Sequence, residues 1–446
     1  MTSSSRILPA ISDQWSERAK EFSTLLADVA TDDFGLVRTH IHFQERRALR
    51  LADLPKTIPL TPEGLSSVDF LCYEDAKMAT GAFLAAQSIR WEVTREEQAK
   101  DLARTAFEAL VEVYDLGATV SEGFFPKPYG GKISQEFSRD QYLFVLSGLA
   151  AYARICGDDE LLLIRRMAAG MVDFWMRIDY KHSYFGLPSS SNLSDFMGGI
   201  FLGIASHGFR MGGDSRHWRE YLRLFGEEGL DRRISMTLRG QFRDGVPYDG
   251  GMYFRQTENS VMLKCMAVDE VWESDPRNRP LWSHSLEKCL ADDLTVALDP
   301  SDGLTFGLIA YDLASDATHL VDPGVVAELE NPLNLPDSTW AGSRKRPGSA
   351  QTAYAAAVIA DRIGSRKALD IYRLILDQMT YEKFRFVTVP DPTHLVPDHE
   401  WEGDLLASGQ MAYWLWAYWL GRQRGLLVST EDPVPALADE PATFAR

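Results

Sequence analysis

Several stretches of this chain contain no Asp, Glu, Lys or Arg: Met78 to Ile89, Gln141 to Ala153, Phe196 to Phe209, Pro347 to Ala360 and Leu405 to Gly421. A helix that is apolar all round is buried all round, so each stretch predicts an interior helix. Small residues such as Gly198, Gly199, Gly203 and Ala355 to Ala357 allow neighbouring backbones to approach closely. Membrane spans need about 18 or more apolar residues. These runs are shorter and hold Gln87, Ser147, His207 and Gln410. Helices of another kind alternate with them. Thr94 to Asp115 puts Leu102, Ala106, Leu110 and Val113 on one stripe and Glu96, Glu97, Lys100 and Glu108 off it. Asp158 to Ile178, Asp214 to Leu238, Arg279 to Leu298 and Ser365 to Met379 read the same way. Breaks at Gly157-Asp158, Gly212-Gly213-Asp214, Ser274-Asp275-Pro276 and Gly364-Ser365 carry helix stop and start signals.

Breaks this short make antiparallel neighbours. Pairs follow at roughly 74–115, 137–178, 193–238, 258–298 and 348–380. A last buried helix at 404–424 lacks a successor, and the amphipathic N-terminal helix Ser12 to Ala30 supplies its partner. The predicted fold is all-α: an (α/α)6 toroid with an inner ring of buried helices and an outer ring of amphipathic ones. The fourth inner helix is the weak member, because Lys264 and Asp269 interrupt it. Residues 1–428 form a single toroid domain in this reading, with a lid or inserted loop at about 299–347, and 429–446 form a loose acidic Pro/Ala-rich tail.

The formal charge of −18 disfavours nucleic acid and anionic membranes as partners. The cysteines Cys72, Cys156, Cys265 and Cys289 are scattered without metal or redox spacing, and Met1 to Ala10 has no apolar stretch of signal-peptide length. The expectation is a cytoplasmic protein with no metal and no cofactor, its oligomeric state open. No phosphate loop, nucleophile elbow or zincin motif is present. Asp32-Asp33, Asp158-Asp159 and Asp292-Asp293 lack the second metal-binding triad that a prenyl-diphosphate enzyme needs.

The connections running from an outer helix to the next inner one fall at one end of such a ring, and the unusual residues lie in them. Ser121 to Asp140 holds Tyr129, Glu136, Arg139 and Asp140. Phe242 to Phe254 holds Tyr248 and Asp249, and Pro397 to Asp404 holds His399, Glu400, Trp401 and Glu402. Aromatic planes, carboxylates and Arg suit a sugar, and glycosidic cleavage needs two carboxyl groups.

With these residues the chain resembles the six-hairpin glycosidases, the toroid of glucoamylases, trehalases and related enzymes. Ser138-Arg139-Asp140-Gln141, then Leu146 to Tyr152, then Gly157-Asp158-Asp159-Glu160-Leu161 is similar to a stretch common there. The resemblance implies that Arg139 and Asp140 hold sugar hydroxyls. It also implies a catalytic carboxylate ahead of the last inner helix, where Glu400-Trp401-Glu402 stands. No specific family is matched, and the same toroid hosts epimerases and polysaccharide lyases.

The resulting expectation is a glycoside hydrolase acting on a small oligosaccharide or glycoside, by the inverting route. An acid at Asp249 or Glu136 would stand about 6.5–9.5 Å from a base at Glu400 or Glu402. Tyr248, Tyr129, Trp401 and His399 join Arg139 and Asp140 as substrate contacts. Asp140 also reads as a first-turn acid behind a Ser138–Gln141 capping box, and Asp195 and Asp404 as structural acids at helix starts. A sugar epimerase or isomerase, or a lyase, is the alternative; it needs His and Tyr in the pocket, with His182, His207, His394 and His399 as candidates. A carbohydrate-binding toroid without catalysis is the third reading.

Overall fold

The computed structural model describes residues 13–54, 64–129, 134–182, 192–193, 196–231, 258–295, 309–312, 317–320, 350–390 and 400–427. Two helices, α1 (Asp13–Leu25) and the short α2 (Ser67–Tyr73), precede a series of hairpins. The first two are α3 (Ala76–Thr94) with α4 (Glu97–Ala118), and α5 (Arg139–Tyr152) with α6 (Asp158–Arg177). Next come α7 (Ile200–Gly212) with α8 (Ser215–Gly226), and α9 (Glu258–Ser274) with α10 (Arg279–Lys288). The series ends with α11 (Ala350–Ile363) and α12 (Arg366–Gln378), and α13 (Ser408–Gln423) follows.

The inner helices close a ring. Each of α3, α5, α7, α9, α11 and α13 packs on the next, and α13 returns to α3. The amphipathic helices wrap it, with α4 on α3, α8 on α7 and α12 on α11, while α1 covers α13. There Phe22 meets Trp414 edge-on at 5.2 Å. Residues on nearly every face of α3, from Ala76 through Arg90, are buried, as its lack of a polar face demands. Among the described residues no helix is long and apolar enough to cross a membrane.

Glycine sets the spacing between α3 and α5. A Cβ on Gly148 would stand 2.5 Å from the Gly81 carbonyl oxygen, and one on Gly81 would stand 2.8 Å from that of Phe144. Both clashes are with backbone, so neither side can yield cheaply. Gly148→Ala is expected to cost ~1–3 kcal/mol through overpacking, read as a lower midpoint in urea unfolding.

The fourth hairpin forms despite its charges, because each charge has a partner. Buried Lys264 lies 3.6 Å from buried Asp293, in the π-helical turn Cys289–Leu294 that extends α10. Asp269 is held by Arg362 of α11 and by Arg424, just past α13.

Strands supplement the ring. β1 (Ile41–His42), β4 (Arg385–Pro390) and β5 (Glu400–Leu406) make an antiparallel sheet ordered β1-β5-β4. β2 (Ile309–Asp312) and β3 (Ala317–Leu320) pair within the expected insertion. The sheet corrects one sequence expectation. Asp404 does not start the last helix, which begins at Ser408. It lies in β5, where its carboxylate accepts from Arg385 at 3.1 Å and from the Gln44 backbone N–H at 3.1 Å.

Candidate active site

Contacts between inner helices put all their N-terminal ends on one face. Gln141 of α5 donates to the Glu74 carbonyl (2.6 Å) and to the Asp75 carboxylate (3.3 Å) at the head of α3. Gln351 of α11 donates to Asn259 of α9 at 2.9 Å, and Gln410 of α13 reaches Gln351 at 3.5 Å. Arg139 of α5 donates to Asn192, ahead of α7, at 3.3 Å. Below these heads, aromatic residues cross the lumen. Phe144 of α5 meets Tyr413 and Trp416 of α13 at 5.3 and 6.0 Å, and Trp416 meets Tyr354 of α11 at 4.5 Å. Helices α5 and α13 are separated in the ring by α3, so these side chains meet inside it. They floor the mouth.

The densest chemistry at the mouth belongs to α3 and its approach. Glu74 accepts from the Lys127 ammonium and from the Tyr129 hydroxyl. Asp75 occupies the N-cap position of α3, yet its side chain caps no backbone N–H. That leaves the carboxylate turned to Gln141. Burial, with Glu74 and Asp140 nearby, pushes the Asp75 carboxyl up to about 6, although the Lys127 charge pulls the other way. Lys77, one turn further in, is fully buried and donates to the Phe125 carbonyl at 2.5 Å. Burial drives its amine well below the usual range, aided by Lys127. His182 packs on Phe137 with ring centroids 3.7 Å apart, and burial draws its imidazole down to about 4, so it is neutral at pH 7.

Of the residues expected from sequence, Arg139 and Asp140 stand at this mouth. The capping box does not form: the Ser138 side chain caps no backbone N–H. Its hydroxyl goes to the Asp140 carboxylate, which also accepts the Gln141 N–H at 2.9 Å. Gln141 is thereby released toward α3. Tyr129 is buried there, its hydroxyl donating to Glu74. Glu136 lies on the same connection, its carbonyl accepting the Lys127 N–H at 2.8 Å. Glu400, Trp401 and Glu402 lie in β5, opposite Pro390, Val389 and Thr388 of β4. Tyr248, Asp249, Asp195, His394 and His399 fall outside the described residues. His207 is not at the mouth. It lies toward the far end of α7, its ring between Ser147 and Glu270, each 3.3 Å away.

Glu74, Asp75, Lys77 and Lys127 were missed. The connections counted from sequence began after the first hairpin. The chain from α1 into α3 is one more connection of the same kind and ends at this same mouth. The available signal was Glu74-Asp75-Ala76-Lys77, a charged group set directly before a charge-free run.

No known protein family matches the chain by sequence, and no curated protein does. Solved structures do match it in shape. A D-mannose isomerase aligns over 93% of this chain and 97% of its own, at 10% identity and a TM-score of 0.51. A sugar epimerase from a ruminal bacterium covers 90% and 98%, at 12% identity and 0.47. The cellobiose 2-epimerase of Spirochaeta thermophila covers 92% and 98%, at 14% identity and 0.47. The chain has an (α/α)6 toroid fold.

As a label for the chain, hydrolase or glycosidase is withdrawn: the toroid it matches at a TM-score of 0.51 is described as a D-mannose isomerase, and at 10% identity that likeness shows the fold alone. Glu74, Asp75 and Asp140 gather side by side at the heads of neighbouring helices α3 and α5, close enough that Glu74 and Asp140 raise the Asp75 pKa.

Proposed function

We propose that this protein is a carbohydrate-active enzyme that moves a proton at the carbon next to a sugar carbonyl, as a sugar isomerase or epimerase. One observation carries the reading: an Asp75 carboxyl held up to about 6 at the mouth of the ring. A general base works best with a pKa near the operating pH. Asp75 takes the proton from C2 of an open-chain aldose, and the electrons pass into an enediolate. Return of the proton to C1, with the O2 hydroxyl proton passing to O1, gives the ketose; return to the other face of C2, with O1 reverting to the carbonyl, gives the epimer. Arg139 and Asp140 hold hydroxyls of the substrate. The neutral imidazole of His182 is the second group able to accept a proton. The mannose isomerase that shares the fold supports the same substrate class.

The test is incubation with a panel of aldoses and ketoses in D2O, followed by proton NMR. The expected result is loss of the C2 proton signal with appearance of the ketose or epimer. Hydrolysis of glycosides, or unsaturated products from a polyuronate, without C2 exchange on any sugar would sink this reading.

A further inference from the structure

Two side-chain amides at the mouth are pinned by their nitrogens and leave buried oxygens without partners. Gln141 is fully buried, and its NH2 is committed to the Glu74 carbonyl and the Asp75 carboxylate. Its Oε1 has no hydrogen-bond partner. Gln410, at the head of α13, repeats the arrangement. Its NH2 goes to Gln351 Oε1 at 3.5 Å, and the Gln351 NH2 goes in turn to Asn259 Oδ1 at 2.9 Å. Gln410 Oε1 is likewise buried and unpartnered. A buried acceptor left unpaired is destabilising, and each one in a folded protein calls for an account.

The relay fixes the direction of these amides. Turning Gln410 over would set its oxygen against the Gln351 oxygen. Turning Gln351 as well would set oxygen against Asn259 Oδ1. With the Asn259 oxygen facing Gln351, the chain of three amides across α9, α11 and α13 leaves Gln410 presenting an acceptor. The Glu74 backbone carbonyl, which can only accept, obliges Gln141 to do the same.

We infer that Gln141 and Gln410 are specificity-determining residues that accept hydrogen bonds from hydroxyl groups of the substrate, with Gln351 and Asn259 as the residues that position Gln410. This rests on the sugar reading above and extends it from the reacting carbon to the recognition of the remaining hydroxyls. Acceptor oxygens beside carboxylates favour a hydrogen-bond donor without negative charge. A hydroxyl at this subsite satisfies them; a phosphate or a carboxylate does not.

Calorimetric titration with monosaccharides and their monodeoxy analogues tests the inference without depending on turnover. Gln141→Met and Gln410→Met are expected to bind the preferred sugar about five- to tenfold more weakly. At least one deoxy analogue should lose that same factor on the wild-type protein and lose nothing further on the matching variant. Gln351→Leu leaves Gln410 in place but frees it to turn, and should abolish its discrimination. Gln410→Leu, apolar and of similar volume, serves where the Met variant does not fold and is expected to show the same loss. Sugar binding by the wild type with unchanged affinity and discrimination in these variants overturns the inference and leaves the proposed function standing. A wild-type protein that binds no sugar overturns both.

Discussion

Asp75→Asn is expected to lower the rate of sugar interconversion by about 10²–10⁴-fold, the range that a positioned base contributes, while making the protein more stable at neutral pH. Both effects have one cause. Burial, with Glu74 and Asp140 nearby, holds the Asp75 carboxyl at about 6, against an ordinary value of 3.8. The native state thus binds this proton more tightly than the unfolded chain does. Stability falls as pH rises from about 4 through about 6, and above that the full cost is present. A shift of this size corresponds to ~3 kcal/mol as an upper bound, and solvent at the mouth reduces it. The Asn variant carries no charge to bury. Its gain in melting temperature should be complete above pH 7 and vanish below about pH 4. In the wild type kcat/KM should rise with pH through about 6 as the base ionises. A flat profile, or an Asn variant with normal turnover, removes Asp75 from the mechanism.

The second large effect concerns folding. Asp269→Ala is expected to destabilise the protein by ~3–5 kcal/mol, the cost of breaking a buried ion pair from one side. Asp269 of α9 accepts from Arg362 at 2.8 Å and from Arg424 at 2.6 Å. Arg362 also reaches Glu273 at 2.6 Å, and Arg424 reaches Asp361 at 3.1 Å. The cluster ties together the C-terminal ends of α9, α11 and α13, half of the inner ring. Burial alone would raise the Asp269 carboxyl, but Arg424 and Arg362 overcome it and hold it at about 2. Its contribution is therefore present above its ordinary value of 3.8 and is lost as pH falls through about 2. The shift itself accounts for ~2 kcal/mol. The rest of the expected loss comes from two guanidinium groups left without their shared carboxylate. Guanidinium chloride unfolding at pH 7 and at pH 3 separates these parts. An Ala variant within 1 kcal/mol of wild type at pH 7 would show the cluster to be marginal.

Asp269 also shows what a sequence of this kind conceals. Lys264 and Asp269 interrupt an otherwise apolar helix, and single charges in a buried element argue against it. Their partners, Asp293, Arg362 and Arg424, lie 29 to 155 positions away, and no local pattern announces them. The ring itself was legible because burial on all sides excludes charge, and that exclusion is written in consecutive residues. The mouth was legible in part. Arg139 and Asp140 followed from their place at the head of a charge-free helix. Glu74 and Asp75 stood in the same relation to α3, but the segment leading to them joins the ring's closing helix to its first, a join that exists only once the ring is closed. The role of Gln141 was hidden differently. Its spacing from Ser138 matches a capping box, and the outcome turned on a carboxylate from another helix that offered its amide a better partner.

The parallel arrangement of the inner helices has an electrostatic consequence. Each helix carries roughly half a positive charge at its N-terminal end, and α3, α5, α7, α9, α11 and α13 all begin at the mouth. Their macrodipoles converge on one point of a chain whose formal charge is −18. In the proposed reaction, the negative charge that builds on the substrate oxygens when a proton leaves a sugar carbon forms where these fields overlap. For that reaction the closed circle of helices is a fixed counterion, assembled in folding and needing no reorganisation when the charge appears.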